Sequence, residues 1–348
     1  MPAPIALLVP GPFDAISGGY AYDRRMVEGL RALGHEVSVT ELAGQHPLPD
    51  AAAEEAASAA LAKIPQATRI VVDGLGLPAF APVLEDLAAR GAFGLIHHPT
   101  ALETGFSEAD RDALKQRERA IFRSLPGLIT TSRLTAERLP PEFGADPARI
   151  RIVEPGTDPA PRSAGSGGPG CAILSIGTLV PRKGHDVLLR ALGRLTDLDW
   201  TLTIVGAARD RAHADGLVAL AEELGLSSRV TFAGEVDADG VAALYARSDL
   251  FALATFWEGY GMVAAEALAR GLPLAVTAGG AIADLATPGT AIVAPPGDYN
   301  SLSRGMRRVI FDPALRAEMA ETAWTAGQAL PRWADRAALF AAALEAAA

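Results

Sequence analysis

Cysteine is almost absent from this sequence, and long apolar runs are absent altogether. Cys171 is the single cysteine, which excludes an internal disulfide framework and suits a reducing compartment. Its apolar neighbours predict a small buried strand residue rather than a nucleophile. No run approaches the roughly 18 apolar residues that a membrane helix needs, and the apolar run near the N-terminus lacks the basic flank of a signal peptide. We therefore expect a soluble, cytoplasmic protein.

Positive charge is also scarce relative to negative charge. The 31 lysines and arginines stand against 41 aspartates and glutamates, so the formal net charge is −10 at pH 7. That balance argues against bulk binding to nucleic acid or to an anionic membrane. Basic residues gather at 109–123, but the carboxylates among them favour a solvated helix face over a lipid-binding one. We expect no nucleic acid as a partner and no transmembrane segment.

Short apolar runs alternate with helical patterns along the 348 residues, in two blocks of similar rhythm. This alternation predicts βαβ units and parallel sheets. A Pro/Gly/Ser-rich stretch at 155–170 interrupts the rhythm and predicts a linker. We therefore predict an α/β protein with two Rossmann-like, doubly wound domains, at 1–160 and 170–330, facing across a cleft lined by strand-to-helix loops. A terminal helix at 331–348 is expected to join the first domain.

The stretch FWEGYGMVAAEALARGLP, at 256–273, places a glutamate on either side of a glycine-rich turn. Gly259 and Gly261 let backbone amides approach a ligand, and the following helix presents its N-terminus to an anion such as a diphosphate. Glu258 and Glu266 could therefore grip two parts of one elongated ligand. Local physics leaves open the alternative of a structural turn with a solvated Glu266.

A second motif, SIGTLVPRKG at 175–184, ends a strand at Gly177 and places two cations at the start of the next helix. Cations are poorly placed beside the positive end of a helix dipole unless a phosphate binds between them. Arg182 and Lys183 therefore indicate a diphosphate site, in which they would neutralise the charge of a departing group. The alternative is a solvated pair.

Three further observations concern cofactors and metals. Gly18 and Gly19 follow the first strand without completing the G-x-G-x-x-G fingerprint, which argues against a dehydrogenase. His97 and His98 end a strand, where adjacent side chains point to opposite faces. One ligand-facing histidine is therefore favoured over a metal site, with a core histidine as the alternative. We see no acidic cluster of the DxD type, so we expect neither a metal nor a cofactor.

Together these motifs resemble the nucleotide-sugar-binding domain of GT-B glycosyltransferases, specifically the retaining family 4, the group 1 glycosyltransferases. The resemblance rests on SIGTLVPRKG, RVTFAGEV, IVAPPGD and EGYGMVAAEALARGLPLAVTAGGAIADL in the second half. In the first half, SGGYAYDRRMVEGLRALGHEV and IHHP resemble the acceptor domain of the family less closely. The fold implied is GT-B, with the nucleotide diphosphate on the C-terminal domain and the acceptor on the N-terminal one.

The resemblance also implies roles for individual residues. Arg182 and Lys183 would hold the diphosphate. Glu258 would contact the transferred sugar, Glu266 the ribose, and His97 would face the sugar across the cleft. The implied catalytic residues are Lys183, Arg182, Glu258 and His97. The implied donor-binding residues are Gly19, Gly177, Val236, Gly259, Tyr260, Gly261, Met262, Val263 and Glu266.

The implied reaction is retaining transfer of a hexose from a nucleotide sugar, expected to be a UDP-sugar, without a metal. The acceptor is unidentified, and a small molecule, a glycan and a lipid all stay open. Thr178 stands where the family usually has an arginine, and Arg182 is the proposed substitute. Retaining glycosidases need two carboxylates about 5 Å apart, and Glu258 and Glu266 are instead assigned to binding. Two alternatives use the same cleft: a GT-B sugar-nucleotide epimerase, and a catalytically silent sugar-nucleotide-binding partner of another transferase.

Overall fold

The structure, a computed structural model, describes residues 3–103 and 105–346. The chain divides into a first unit of Met1–Gly156 with Pro331–Ala348 and a second unit of Thr157–Leu330. Over the described residues, each unit contains one six-stranded sheet in which all neighbouring strands are parallel. Helices connect successive strands, as parallel pairing requires. The predicted α/β class with two doubly wound parallel sheets is thereby confirmed.

Strands and helices follow one another along the chain in both units. The strands are β1 (Ile5–Pro10), β2 (Val37–Leu42), β3 (Arg69–Asp73), β4 (Phe93–Ile96), β5 (Gly127–Thr130), β6 (Ile150–Ile152), β7 (Cys171–Ile176), β8 (Trp200–Val205), β9 (Val230–Gly234), β10 (Leu250–Leu253), β11 (Leu274–Thr277) and β12 (Ala291–Ala294). The helices are α1 (Gly18–Ala32), α2 (Ala51–Lys63), α3 (Leu84–Ala89), α4 (Glu108–Ser124), α5 (Arg133–Phe143), α6 (His185–Leu192), α7 (Arg211–Glu223), α8 (Ala238–Ala246), α9 (Met262–Ala269), α10 (Ile282–Leu285), α11 (Tyr299–Phe311), α12 (Pro313–Gln328) and α13 (Trp333–Glu345).

The order of strands reverses once in each sheet. The first sheet has the strand order β2-β1-β3-β4-β5-β6. The chain therefore adds β2 on one side of β1 and the later strands on the other side, and the reversal lies between β1 and β3. The second sheet has the strand order β12-β11-β10-β7-β8-β9, and the same reversal in strand order lies between β7 and β10. Beside such a reversal the loops at the carboxyl ends of the two strands diverge, and the crevice between them is where α/β sheets bind ligands. Functional side chains are therefore expected after β1 and β3, and after β7 and β10.

Burial of both sheet faces explains the continuous apolar runs in the sequence. Every position of β1 is buried, because helices cover a parallel sheet on both sides. Cys171 begins β7 and is 1% exposed, as predicted, and burial raises the pKa of its thiol to about 12. In the described part of the chain, no helix is long and apolar enough to cross a membrane.

The Pro/Gly/Ser-rich stretch that predicts a linker is held against the second unit. The amide of Ser163 donates to the carbonyl of Arg270 at 2.9 Å, and its hydroxyl donates to the carbonyl of Ser248 at 2.9 Å. Arg162 forms a two-bond pair with Glu321, at 2.6 and 3.0 Å. Backbone and charged contacts, which composition does not reveal, thus hold residues 162 and 163 of this stretch against the second unit.

One strand was not anticipated from the sequence. β6, at Ile150–Ile152, is three residues long and pairs with β5 at the edge of the first sheet. Its central residue is Arg151, so it lacks the apolar run by which the other strands are recognised.

Candidate functional site

The loop after β7 lies against the end of β10 in the second unit. Gly177 follows β7, and a short 3-10 turn over Pro181–Lys183 leads into α6. Gly184 has a φ of 63°, which favours glycine, and a Cβ at this position would collide with the carbonyl of Ala254. Glycine therefore permits the close approach that brings the loops after β7 and β10 together.

Lys183 and Glu258 form an ion pair where these two loops meet. The Lys183 Nζ lies 2.5 Å from Oε1 of Glu258, and NH1 of Arg182 lies 3.7 Å from the same oxygen. Arg182 also donates from NH1 to the carbonyl of Trp257 at 2.7 Å. The Glu258 side chain is only 11% exposed. One carboxylate thus stands beside two cations, which leaves one excess positive charge for an anionic ligand.

Thr255 ties the two loops to each other. Its buried hydroxyl donates to the carbonyl of Arg182 at 3.0 Å and lies 3.3 Å from Oε1 of Glu258. The amide of Phe256 donates to the same Arg182 carbonyl at 2.8 Å. These contacts fix the cations relative to the carboxylate, and sequence reasoning did not single out Thr255.

Gly259 and Tyr260 continue from Glu258 into the turn that starts α9. Gly261 caps the helix with a φ of 99°, where a side chain would be strained. The first-turn amides of Met262 and Val263 have no acceptor within the helix, because the first four N–H groups of any α-helix lack one. This N-terminus therefore presents donors and the positive end of a helix dipole to an anion.

Glu266 has partners of a different kind from those of Glu258. Its carboxylate accepts a hydrogen bond from the Tyr245 hydroxyl at 3.1 Å, and its backbone carbonyl accepts one from Arg270 at 3.0 Å. The Arg270 guanidinium lies 4.5 Å from the centre of the Tyr245 ring. Burial, reinforced by the charge of Glu266, raises the pKa of Tyr245 well above its ordinary value, so Tyr245 stays a neutral donor. The two glutamates are held separately, one by cations and one by a tyrosine.

The remaining predicted residues of the second unit lie in nearby loops. Thr178 is half-buried in the loop after Gly177. Val236 follows β9 and packs against the apolar cluster that includes Tyr245. His185, which sequence reasoning missed, is fully buried, and its Nε2 donates to the carbonyl of Gly177 at 3.1 Å. Burial lowers the pKa of His185 to about 4, so this histidine is a neutral anchor of the loop.

A second charged cluster lies at the corresponding place in the first unit. His97 directly follows β4, Asp73 ends β3 and Asp23 lies on α1. The Nε2 of His97 is 2.9 Å from Oδ1 of Asp23 and 3.4 Å from Oδ2 of Asp73. Both carboxylates are buried, whereas the His97 side chain is 22% exposed. We refer to Asp23, Asp73 and His97 as the His97 cluster.

Burial and charge oppose each other in the His97 cluster. Burial alone would lower the pKa of His97, but the charge and the hydrogen bond of Asp23, with those of Asp73, raise it above its ordinary value. Burial raises the pKa of Asp23 against the opposing effect of His97. We assign Asp23 as a carboxylate and His97 as an imidazolium at neutral pH, because each charge has its counter-charge within hydrogen-bonding distance.

Gly19 lies beside His97, which brings two predicted residues together. A Cβ at Gly19 would stand 3.3 Å from Cδ2 of His97, so the missing side chain makes room for the imidazole. Asp23 and Asp73 were not predicted. Asp23 is hidden inside a helical pattern, but Asp73 ends a buried strand next to a glycine in VVDG, which is a usable signal for a side chain at a strand end.

A cavity of about 500 Å³ lies in the first unit, beside the loops after β1 and β2. Its lining includes Tyr20, His46, Leu48, Leu75 and Phe106. Among the described residues that line it, no lysine or arginine occurs, and burial lowers the pKa of His46. The cavity therefore offers aromatic, aliphatic and neutral polar surface.

Comparisons with known proteins fit this geometry. Residues 162–325 match a family model described as glycosyl transferases group 1. A D-inositol 3-phosphate glycosyltransferase of Mycobacterium sp. (strain KMS) is 36% identical over 165 residues, which cover 44% of this chain and 38% of that protein. The matching region thus spans less than half the length of this relative. Both matches concern sugar transfer. The residues matched by the family model include the loops that carry Lys183 and Glu258.

Solved structures share the fold over nearly the whole chain. Sucrose-phosphate synthase from Thermosynechococcus elongatus superimposes with a TM-score of 0.82 at 23% identity, covering 97% of each chain. HepE from Anabaena, solved with UDP-glucose, gives a TM-score of 0.80 at 18% identity, covering 98% of this chain and 99% of that one. The fold is therefore GT-B, as predicted. The family match and the sequence relative support a glycosyltransferase.

Proposed function

We propose that this protein is a retaining glycosyltransferase of family 4 that transfers a hexose from a UDP-sugar to a hydroxyl acceptor in the cytoplasm, without a metal or cofactor. The observation that carries the proposal is the cluster of Lys183, Arg182 and Glu258 at the strand reversal of the second unit. Its excess positive charge stands beside the helix that begins after Gly261.

The donor is assigned to the second unit in three parts. The diphosphate binds between the two cations and the first-turn amides of α9, where charge and dipole both favour an anion. Glu266, oriented by Tyr245, accepts hydrogen bonds from the ribose hydroxyls. Glu258 accepts from hydroxyls of the sugar, while Lys183 turns part of its hydrogen bonding from Glu258 to the phosphate. Val236 and Gly177 border the nucleotide.

The reaction follows from the charges that develop in it. The bond between the anomeric carbon and the diphosphate oxygen breaks, and the acceptor oxygen bonds to the same carbon from the same face. The acceptor proton passes to the departing phosphate oxygen. Lys183 and Arg182 stabilise the negative charge that collects on the leaving diphosphate, and such preorganised stabilisation is commonly the largest catalytic contribution.

The choice of a UDP-sugar is supported by HepE, whose solved structure contains UDP-glucose. HepE is only 18% identical to this chain, so this similarity serves only to place UDP-sugars first among the donors to be tested. Because the donor contacts proposed for the sugar are hydroxyl contacts, we assign a hexose rather than a charged sugar.

The acceptor is assigned to the first unit and to its cavity of about 500 Å³. The name of the mycobacterial relative refers to inositol 3-phosphate. A phosphate on an acceptor would need a cation, and the residues lining this cavity in the described chain supply none. We therefore propose a ring-shaped hydroxylated acceptor without a phosphate, with Tyr20 and Phe106 against its apolar face.

The test is a panel of UDP-, GDP- and ADP-hexoses, each incubated with the protein and monitored for nucleotide release. Slow hydrolysis of at least one donor is expected, with acceleration by a hydroxylated acceptor and an anomeric proton of retained configuration in the product's NMR spectrum. Inositol and inositol 3-phosphate are compared as acceptors, and activity is repeated in EDTA.

The alternatives give different outcomes in the same panel. A silent binding partner would bind a sugar nucleotide by calorimetry without turnover, and an epimerase would change the donor sugar without releasing nucleotide. Failure of every donor both to bind and to release nucleotide would overturn the proposal.

A further inference from the structure

The His97 cluster places two carboxylates on one imidazole nitrogen. Asp23 and Asp73 approach the Nε2 of His97 from different elements, at 2.9 and 3.4 Å. Asp73 is itself fixed, since its Oδ1 accepts a hydrogen bond from the Leu75 amide at 2.9 Å. Asp23 is fully buried, and its Oδ2 has no hydrogen-bond partner among the described residues. A buried carboxylate without a second donor depends on the imidazole for its counter-charge.

The His97 ring is fixed on its other sides by packing. Tyr22 meets it edge-on, with ring centres 5.2 Å apart and planes inclined at 80°. Gly19 leaves room for the Cδ2 edge of the ring. Since Nε2 faces the carboxylates and Cδ2 faces Gly19, the exposed part of the side chain belongs to the opposite edge, which carries Nδ1.

The charge of the cluster limits what the exposed edge can bind. Two carboxylates and one imidazolium sum to −1, so a phosphate is disfavoured and a neutral hydroxyl is suited. The charge of Arg24 lowers the pKa of Asp23 less than that of His97 does, and the Arg24 NH1 donates to the carbonyls of Phe13 and Ala15 at 2.6 and 3.2 Å.

We propose that Asp23 and Asp73 are positioning residues that hold His97 as a permanent imidazolium, whose Nδ1–H donates to a neutral hydroxyl of the substrate. This inference rests on the proposed function, because a sugar or its acceptor supplies that hydroxyl. His97 is then a fixed hydrogen-bond donor and does not act as a general base, since its Nε2 proton is held by carboxylates. The raised pKa of His97 agrees with this role.

The first test reads the protonation state of His97 without any substrate. Nitrogen NMR of the imidazoles is recorded across a pH titration, and the His97 signals are assigned by their loss in His97→Gln. We expect His97 to stay doubly protonated at pH values where an ordinary histidine, with a pKa of about 6.5, has lost its proton. Asp23→Asn should return the titration toward that ordinary value, and Asp73→Asn should do so by a smaller amount.

The second test is the pH profile of kcat/KM with the best donor. The kcat/KM of the wild type should be flat through neutral pH. That of Asp23→Asn should fall about tenfold as pH rises through neutrality and recover in mild acid, since a charged donor forms a stronger hydrogen bond than a neutral one. A merely structural defect would lower activity equally at every pH. If Asp23→Asn does not fold, the same pH profile of kcat/KM is measured with Asp73→Asn.

Three results would overturn the inference. A wild-type His97 that titrates like an ordinary histidine would do so, as would an Asp23→Asn profile parallel to that of the wild type. Loss of the imidazolium signal on adding Zn²⁺ or Mn²⁺ would show that the His97 cluster is a metal site instead. Absence of nucleotide release from every donor would instead count against the proposed function and leave the NMR result decisive for the His97 cluster.

Discussion

The two units carry charged clusters of opposite sign at equivalent places in their sheets. In the second unit, one carboxylate, Glu258, stands beside two cations, and the sum is +1. In the first unit, one cation, His97, stands beside Asp23 and Asp73, and the sum is −1. Both lie beside a strand reversal, after β7 and β10 in one sheet and around β1 and β3 in the other.

The difference in the sign of the net charge indicates that the two clusters favour different chemical groups. A positive excess beside a helix N-terminus favours a group that leaves as an anion. A negative excess around a trapped imidazolium favours neutral hydroxyls and repels phosphate. Within each unit, the loops beside the strand reversal thus carry a charged cluster, and the sign of its net charge differs between the units. Each of the following experiments alters one side of this contrast.

The largest effect is expected from Lys183→Ala, which reduces the charge of the second-unit cluster from +1 to zero. We expect kcat for nucleotide release to fall by about 10²- to 10³-fold, as for the loss of one preorganised electrostatic contact. Steady-state kinetics with the best donor measures it, and Lys63→Ala, at the exposed end of α2, is the matched control. A Lys183→Ala enzyme with unchanged kcat would remove this cluster from the chemistry.

A second experiment tests His185, a buried histidine that, unlike His97, has no carboxylate partner among the described residues. The folded-state pKa of His185, about 4, lies below its ordinary value of about 6.5, so both states are neutral at higher pH. As pH falls from about 6.5 to 4, the unfolded chain takes up a proton that the folded chain refuses. Stability is therefore lost in that window, by about 3 kcal/mol.

The measurement compares urea unfolding of the wild type and His185→Gln across pH. Tryptophan fluorescence follows it, since Trp200, Trp257 and Trp324 lie in the second unit. The wild type should lose stability relative to the variant below pH 6.5, where other titrating groups affect both proteins alike. A difference between the two proteins that does not change with pH would mean that His185 is not held neutral.

The smallest effect is expected at Glu266, because the ribose contact that we propose for it would be made equally in the ground and transition states. Glu266→Gln should raise KM for the donor about tenfold and leave kcat within about twofold, because a lost ribose contact is uniform binding. Tyr245→Phe should raise KM by less, since it removes the contacts of the Tyr245 hydroxyl with the Glu266 carboxylate and the Val263 carbonyl but leaves that carboxylate in place. Initial rates over a donor titration measure both, and a fall in kcat without a change in KM would contradict the assignment.

Sequence reasoning reached the second-unit loops because their requirements are local. The backbone has a positive φ at Gly184 and Gly261, within a few residues of Lys183 and Glu258. Because positive φ favours glycine, these turns can be recognised from the sequence. That Lys183 and Glu258 touch each other was not predicted, because 75 residues separate them and the pairing depends on the neighbourhood of β7 and β10.

The first unit was less legible because its charges act over long separations. Asp23 lies 74 residues from His97, and nothing in the pattern of α1 distinguishes it from a solvated charge. Glu118 is a second example, since the sequence pattern predicts that it is one more charge on a solvated helix face. It is buried instead, and accepts hydrogen bonds from the amides of Thr100 and Ala101, in the turn that follows His97.

The return of α13 to the first unit has a consequence for the order of folding during synthesis. α13 packs against α1, where Ala337 meets Gly29, and Phe340 is buried in the first unit. The second unit, Thr157–Leu330, is continuous in sequence and has all its residues once Leu330 emerges from the ribosome. The first unit begins earlier but must wait, with the surface of α1 uncovered, until α13 has been made. Of the two units, the one whose translation starts first is thus completed second.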